Sequence, residues 1–196
     1  MSTGNNSPKI AIFNPVIPRL WLPLGIGLAM LAAVLLPLNL LVTQRFHHDE
    51  ALYATWALKI ASGENPLLYQ TPIDKPPLFI YTVAGSLWLL GNTETAARLP
   101  SLLATCLSVG LTFWLGRKLY GNGVGLLAAW LMALSPFTLL FAPTAFTDPL
   151  LVMLMLAGCV AAAYGYGIWA GIFSQVQILL IQLYMEMILD GITIRD

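Results

Sequence analysis

Pro77-Leu78-Phe79-Ile80-Tyr81-Thr82-Val83-Ala84-Gly85-Ser86-Leu87-Trp88-Leu89-Leu90 is the stretch on which the topology turns. Its apolar run is short of the roughly 20 residues that a helix needs to cross the hydrocarbon core. An interfacial or re-entrant helix suits it better. Parity points the same way. If the segment crossed, Asp148 would lie on the opposite side from Asp49 and Lys75, and Arg117-Lys118 would leave the cytoplasmic face where basic residues gather. Pro77 to Leu90 is therefore read as lying on the external face. That reading assumes that the polar motifs on either side of it act together.

The solvent for the rest of the chain is set by composition. Hydrophobic residues make up 58% of it and charged residues 9%, against roughly 25% charged in soluble domains. Mean hydropathy is +0.79. These values describe an integral membrane protein. Nine basic and nine acidic side chains cancel, so no net field draws a nucleic acid. Cys106 and Cys159 sit in apolar runs, where a thiol acts as a small hydrophobe and signals neither a disulfide nor a metal site.

Upstream of the deciding stretch, residues 1–19 are polar, carry Lys9 and Arg19 and no acid, and read as a cytoplasmic tail. Residues 21–42 are long enough to span, with Pro23 and Pro37 near the ends, and are too long for the apolar core of a signal peptide. Residues 44–99 hold five of the nine acids and form a large first external loop. Within it residues 49–62 predict a helix along the membrane surface, capped by Asp49 and stopped by Gly63, with Leu52, Trp56 and Ile60 at helical spacing. Residues 77–90 predict a second interfacial helix.

Downstream, spans are expected at about 100–116, 123–142 and 149–167. Residues 20–168 then form one transmembrane region, and 169–196 an atypical C-terminal helical segment in which Ile178, Ile181, Tyr184 and Ile188 recur at amphipathic spacing. The fold class is all-α: a polytopic transmembrane helix bundle with juxtamembrane helices in its first external loop. On this topology three motifs face one compartment: His48-Asp49-Glu50, Asp74-Lys75-Pro76-Pro77 and Thr147-Asp148-Pro149. Ionisable groups held at membrane boundaries are functional candidates by default.

The ordered series His48-Asp49-Glu50-Ala51-Leu52-Tyr53, Ala61-Ser62-Gly63, Asp74-Lys75-Pro76-Pro77-Leu78, Ala97-Arg98-Leu99-Pro100-Ser101, Gly116-Arg117-Lys118-Leu119-Tyr120-Gly121 and Thr147-Asp148-Pro149-Leu150 resembles the start of a bacterial GT-C glycosyltransferase of the protein O-mannosyltransferase and aminoarabinose transferase type. The resemblance covers roughly Phe46 to Tyr164. It implies a multi-pass protein of the bacterial inner membrane. Its partners would be membrane lipid and a polyprenyl-phosphate sugar donor, with transfer to an acceptor at the external face. Members of the family continue through many more spans, so the chain reads as an N-terminal part of one. The alternative is a catalytically inactive membrane remnant or an accessory subunit. A transporter fragment is disfavoured, because the ionisable groups gather at one surface rather than at mid-span.

Glycosyl transfer needs a base for the acceptor hydroxyl and a cation for the departing phosphate. Asp49 resembles the catalytic aspartate of the family's first external loop, and Glu50 and Asp148 are the carboxylates to orient it or the acceptor. Carboxylates facing one another across a partly dry cavity raise each other's proton affinity. Asp49 and Asp148 also read as helix caps, and a cap can do both. Lys75, held extended by two following prolines, suits the carrier phosphate or a snorkelling position at the headgroups. Arg98 and Tyr53 complete the candidate substrate-binding set. Asp74, with His48, is the candidate ligand pair for a divalent ion, Mg or Mn by oxygen donors and Zn if the imidazole joins.

Overall fold

The computed structural model describes residues 21–68 and 76–176. All regular structure among them is helical: α1 Trp21–Leu35, α2 Leu38–Thr43, α3 His48–Ala61, α4 Pro77–Leu90, α5 Glu94–Tyr120, α6 Asn122–Ala133, α7 Pro136–Phe141 and α8 Asp148–Ala163. Residues 167–176 are helical as well. The protein is an all-α membrane-type bundle. The cytoplasmic tail, Asp74, Lys75 and most of the expected C-terminal amphipathic helix lie outside the described residues.

Two units among the described residues are long and apolar enough to cross a membrane: Trp21–Leu41, with mean hydropathy 2.2, and α5, with 1.5. The first is α1 continued by α2 across a break at Pro37, whose nitrogen has no hydrogen to give the helix ladder. At 27 residues, α5 reaches about 40 Å.

That length corrects one expectation. The span predicted to start at Pro100 belongs to a helix that starts at Glu94, because Thr93 caps it: its Oγ1 accepts from the N–H of Ala96 at 3.1 Å. Pro100 thus lies inside α5 and cannot donate to the carbonyl of Ala96. Ser86 of α4 donates to that carbonyl instead, at 2.6 Å.

The span predicted over 123–142 is likewise interrupted. α6 stops at Ala133, and Ser135 caps α7 by accepting from the N–H of Thr138 at 3.1 Å. Pro136 leaves the carbonyl of Met132 without its helical donor, and the Thr138 hydroxyl supplies one at 2.6 Å. Two other caps differ from the sequence reading. His47 caps α3, with Asp49 in its first turn, and Thr147 is the cap position of α8, with Asp148 its first residue. Gly63 ends α3 as expected, in the left-handed region at φ +76°.

The elements run back and forth between two ends. At one end, Arg98 of α5 bonds to the carbonyls of Leu41 and Gln44 at the close of α2. At the other, the start of α1 lies beside the end of α5, and Lys118 sits 4.9 Å from the ring of Tyr164 at the close of α8. α5 is therefore antiparallel to α1, α6 and α7 return, and α8 runs with α5. Gly121, at φ +98°, makes the turn from α5 into α6. Gly125 sits so close to α5 that a Cβ there would lie 2.7 Å from the Arg117 nitrogen and 2.8 Å from the Phe113 carbonyl.

α3 begins, and α4 ends, beside the start of α5, through the Glu50–Arg98 pair and the Ser86–Ala96 bond. α3 and α4 form a layer there. Tyr53, Trp56 and Ala57 of α3 and Phe79, Ile80, Val83 and Leu87 of α4 bury one cluster, to which α5 gives only Ala96 and Ala97 from its first turn. Each fully buried Phe, Ile or Val removes roughly 1.5–3 kcal/mol worth of apolar surface from water. The layer packs on the start of α5. Around the bundle Leu24, Leu28, Leu31, Leu35, Leu127 and Leu131 are exposed, an apolar exterior suited to lipid.

Candidate active site

A buried ion pair organises this end of the molecule. Arg98 and Glu50 are 1% and 2% exposed. The guanidinium meets the carboxylate in a fork, Nε to Oε1 and Nη2 to Oε2, each at 3.2 Å. Its Nη1 donates to the carbonyls of Leu41 at 3.1 Å and Gln44 at 2.7 Å, and its central carbon lies 5.0 Å from the centre of the Phe46 ring. Glu50 accepts two more bonds, from the N–H of Ala145 at 2.6 Å and of His47 at 3.0 Å. Desolvating two charges is tolerable only when the remaining donors and acceptors are satisfied in this way.

The pair ties four pieces of chain together: the end of the first span, the start of α3, the second turn of α5 and the segment before α8. A second bond reinforces the last tie, with Ser101 Oγ donating to the carbonyl of Phe146 at 3.0 Å. The Phe146 ring then meets Tyr53 at 6.2 Å, Phe141 at 6.1 Å and His47 at 6.4 Å between centroids. Tyr53 is buried and also meets Phe79, in the first turn of α4, edge to face at 6.3 Å.

Around this frame the exposed groups are His47, His48, Asp49 and Asp148. The two imidazoles stack 4.6 Å apart, and His47 Nδ1 lies 3.7 Å from a carboxylate oxygen of Asp49. Asp148 follows Phe146 by two residues. Beside it, the Thr147 hydroxyl is buried and has no hydrogen-bond partner among the described residues. Glu50 and Asp49 are neighbours in sequence, but about 100° of helical rotation separates them. One points into the ion pair and the other into the open.

The structure thus brings Asp49, Glu50, Tyr53, Arg98 and the Asp148 segment to one end, and Asp74 and Lys75 lie outside the described residues. Glu50 and Arg98 are buried against each other, with four of the five guanidinium N–H groups bonded to protein, and Tyr53 is buried among aromatic rings. His47 as a cap and Phe146 as the hub of ring contacts were missed by sequence reasoning. A hint of the ion pair was present, since an arginine next to an apolar span demands a partner. For a divalent ion, no group of three or more His, Cys, Asp or Glu side chains able to hold a metal occurs among the described residues. Asp74, the first of the two candidate ligands, lies outside the described residues, and the His48 imidazole stacks on His47.

The family model for dolichyl-phosphate-mannose-protein mannosyltransferase matches residues 74–187, more than half of the chain. The chain belongs to this family. Dolichyl-phosphate-mannose-protein mannosyltransferases are membrane glycosyltransferases of GT-C type that use a lipid-linked sugar. The match opens on Asp74-Lys75-Pro76-Pro77 and includes Arg98 and Asp148, whereas His48-Asp49-Glu50 precedes it. It continues well past Trp169, so the family pattern extends beyond the Tyr164 limit that the motifs alone suggest. No curated protein and no solved structure matches the chain.

Proposed function

We propose that this end of the bundle is the donor and acceptor site of a glycosyltransferase that moves a sugar from a polyprenyl-phosphate carrier to an acceptor hydroxyl. The compartment is the external face of a bacterial inner membrane, with the Arg117-Lys118 end in the cytoplasm by the positive-inside rule. α3 and α4 then lie in the outer headgroup layer. The observation that carries the reading is the Glu50–Arg98 clamp. It joins the helix bearing Asp49 to the segment bearing Asp148, from opposite ends of the motif series, in a chain of this family.

In the reaction the acceptor oxygen attacks the anomeric carbon while the bond from that carbon to the phosphate oxygen breaks. The acceptor proton passes to the Asp49 carboxylate, which is exposed and free of the clamp. The electron pair leaves with the polyprenyl phosphate, whose charge Lys75 balances. Lys75 directly precedes Pro76, three residues from the Phe79 that touches Tyr53. Asp148 orients the acceptor. Glu50, Arg98 and Tyr53 act by position, holding α3 against the Phe146 segment.

The test is transfer of label from a polyprenyl-phosphate sugar by the purified chain in a membrane extract. Asp49→Asn should lower the rate by roughly 10²–10⁴-fold, the usual contribution of a general base, with thermal stability unchanged. Full activity in that variant would remove Asp49 from the chemistry. No transfer by the correctly folded parent chain would favour the inactive remnant or accessory subunit.

A further inference from the structure

The opposite end of the bundle carries a feature that glycosyl transfer does not use. Where the start of α1 meets the end of α5 and the start of α6, a cavity of about 530 Å³ opens between Leu22, Pro23, Ile26, Phe113, Arg117 and Asn122. That volume is within the roughly 300–1,000 Å³ of small-molecule sites. Its walls are fixed by two close helix approaches. Gly125 backs onto the α5 backbone at Phe113 and Arg117, and a Cβ on Gly25 would meet Leu126 at 2.9 Å.

The chemistry of the lining is divided. Leu22, Ile26 and Phe113 supply an apolar interior, and Arg117 and Asn122 supply polar groups. The two neighbouring cations differ in what they face. Lys118 lies over the Tyr164 ring, whereas Arg117 has no ion pair among the described residues. Asp49, Glu50, Glu94 and Asp148 all belong to the other end. Trp21 and Tyr120, both exposed, flank the cavity along the chain, and such aromatic residues mark headgroup depth.

We propose that this cavity is a seat for one anionic phospholipid, with the phosphate on Arg117 and Asn122 and the upper part of an acyl chain along Leu22, Ile26 and Phe113. A guanidinium takes a phosphate in a two-pronged hydrogen bond. Basic pockets between membrane helices on the cytoplasmic side bind acidic headgroups in this way.

The test uses the full chain in neutral detergent, with phosphatidylglycerol and phosphatidylcholine of matched acyl chains added in turn. Lipid adducts are counted by native mass spectrometry and thermal stabilisation is followed in parallel. Phosphatidylglycerol should bind about fivefold more tightly, the worth of one basic residue at a headgroup. Arg117→Gln should remove the preference and Lys118→Gln should keep it. Ile26→Trp, which fills the cavity, should displace the bound lipid while circular dichroism shows the helices intact.

Equal binding of the two lipids would overturn the proposal, as would a preference that survives Arg117→Gln. Equal loss in Lys118→Gln would reduce the effect to diffuse surface charge. Stabilisation by inorganic phosphate as large as that by phosphatidylglycerol would assign the site to a soluble anion. None of these readouts depends on glycosyl transfer.

Discussion

Each end of the bundle presents an arginine on α5, and the two are used in opposite ways. Arg98 is buried, forked onto Glu50 and bonded to two carbonyls. Arg117 is exposed at the rim of a cavity, beside a lysine already occupied by a tyrosine ring. A buried charge held by its own chain on four of its five donors is a structural joint. An exposed charge beside an apolar cavity is available. Burial and partner count, rather than residue type, distinguish the two arginines.

The largest loss of stability is expected at the joint. Arg98→Ala leaves Glu50 buried and unpaired and should cost about 3–5 kcal/mol, read by thermal or denaturant unfolding in detergent. A double change to Arg98→Leu and Glu50→Leu should recover only part of that loss. The N–H groups of His47 and Ala145 and the carbonyls of Leu41 and Gln44 would still lose their partners.

The Arg117 end is more sensitive in its backbone than in its charge. Gly125→Ala drives a methyl group into the α5 backbone, which cannot yield like a side-chain tip, and should cost about 3 kcal/mol, the upper part of the range for overpacking. A melting temperature equal to the parent's would show that the helices separate there at little expense. Smaller is Ser86→Ala, which removes the donor to the Ala96 carbonyl and should cost about 1 kcal/mol. Smallest is Arg117→Gln, within about 0.5 kcal/mol of the parent in stability. A loss comparable to that of Arg98→Ala would erase the distinction between the two ends.

Much of this architecture is legible in the sequence because local rules govern it. Pro77 at a first helical position, Gly91 after Leu90 and Gly63 after α3 mark ends that short-range chemistry fixes. The two long apolar units follow from hydropathy. The errors at Pro100 and Pro136 have one origin, since a proline can begin a helix, bend it or break it. Which occurs depends on who donates to the carbonyl four residues earlier, and for Pro100 that donor comes from another helix. The helix start at Thr93-Glu94 is marked by a local cap, with the Thr93 hydroxyl accepting from the N–H of Ala96.

The candidate site is less legible, and the reason is geometric. Asp49 and Glu50 are adjacent acids that composition and spacing do not rank, because which one is buried depends on which faces a residue 48 positions away. Phe146 has no distinguishing composition and gains its place from the fold. The family resemblance pointed to the family that the match over residues 74–187 shows. It could not say which of their side chains are spent on holding the others.

The two repaired prolines differ in a way that bears on biogenesis. At Pro136 the replacement donor, Thr138, is two residues downstream, so that bend is self-sufficient as soon as it is synthesised. At Pro100 the donor is Ser86, on the preceding helix, and the first turns of α5 carry an open carbonyl until α4 is in place. Because α4 emerges from the ribosome earlier, N-to-C synthesis supplies the partner before the need arises. Reversing the order, with fragments split between α4 and α5 and the C-terminal piece made first, would deliver α5 to the translocon with its proline turn incomplete.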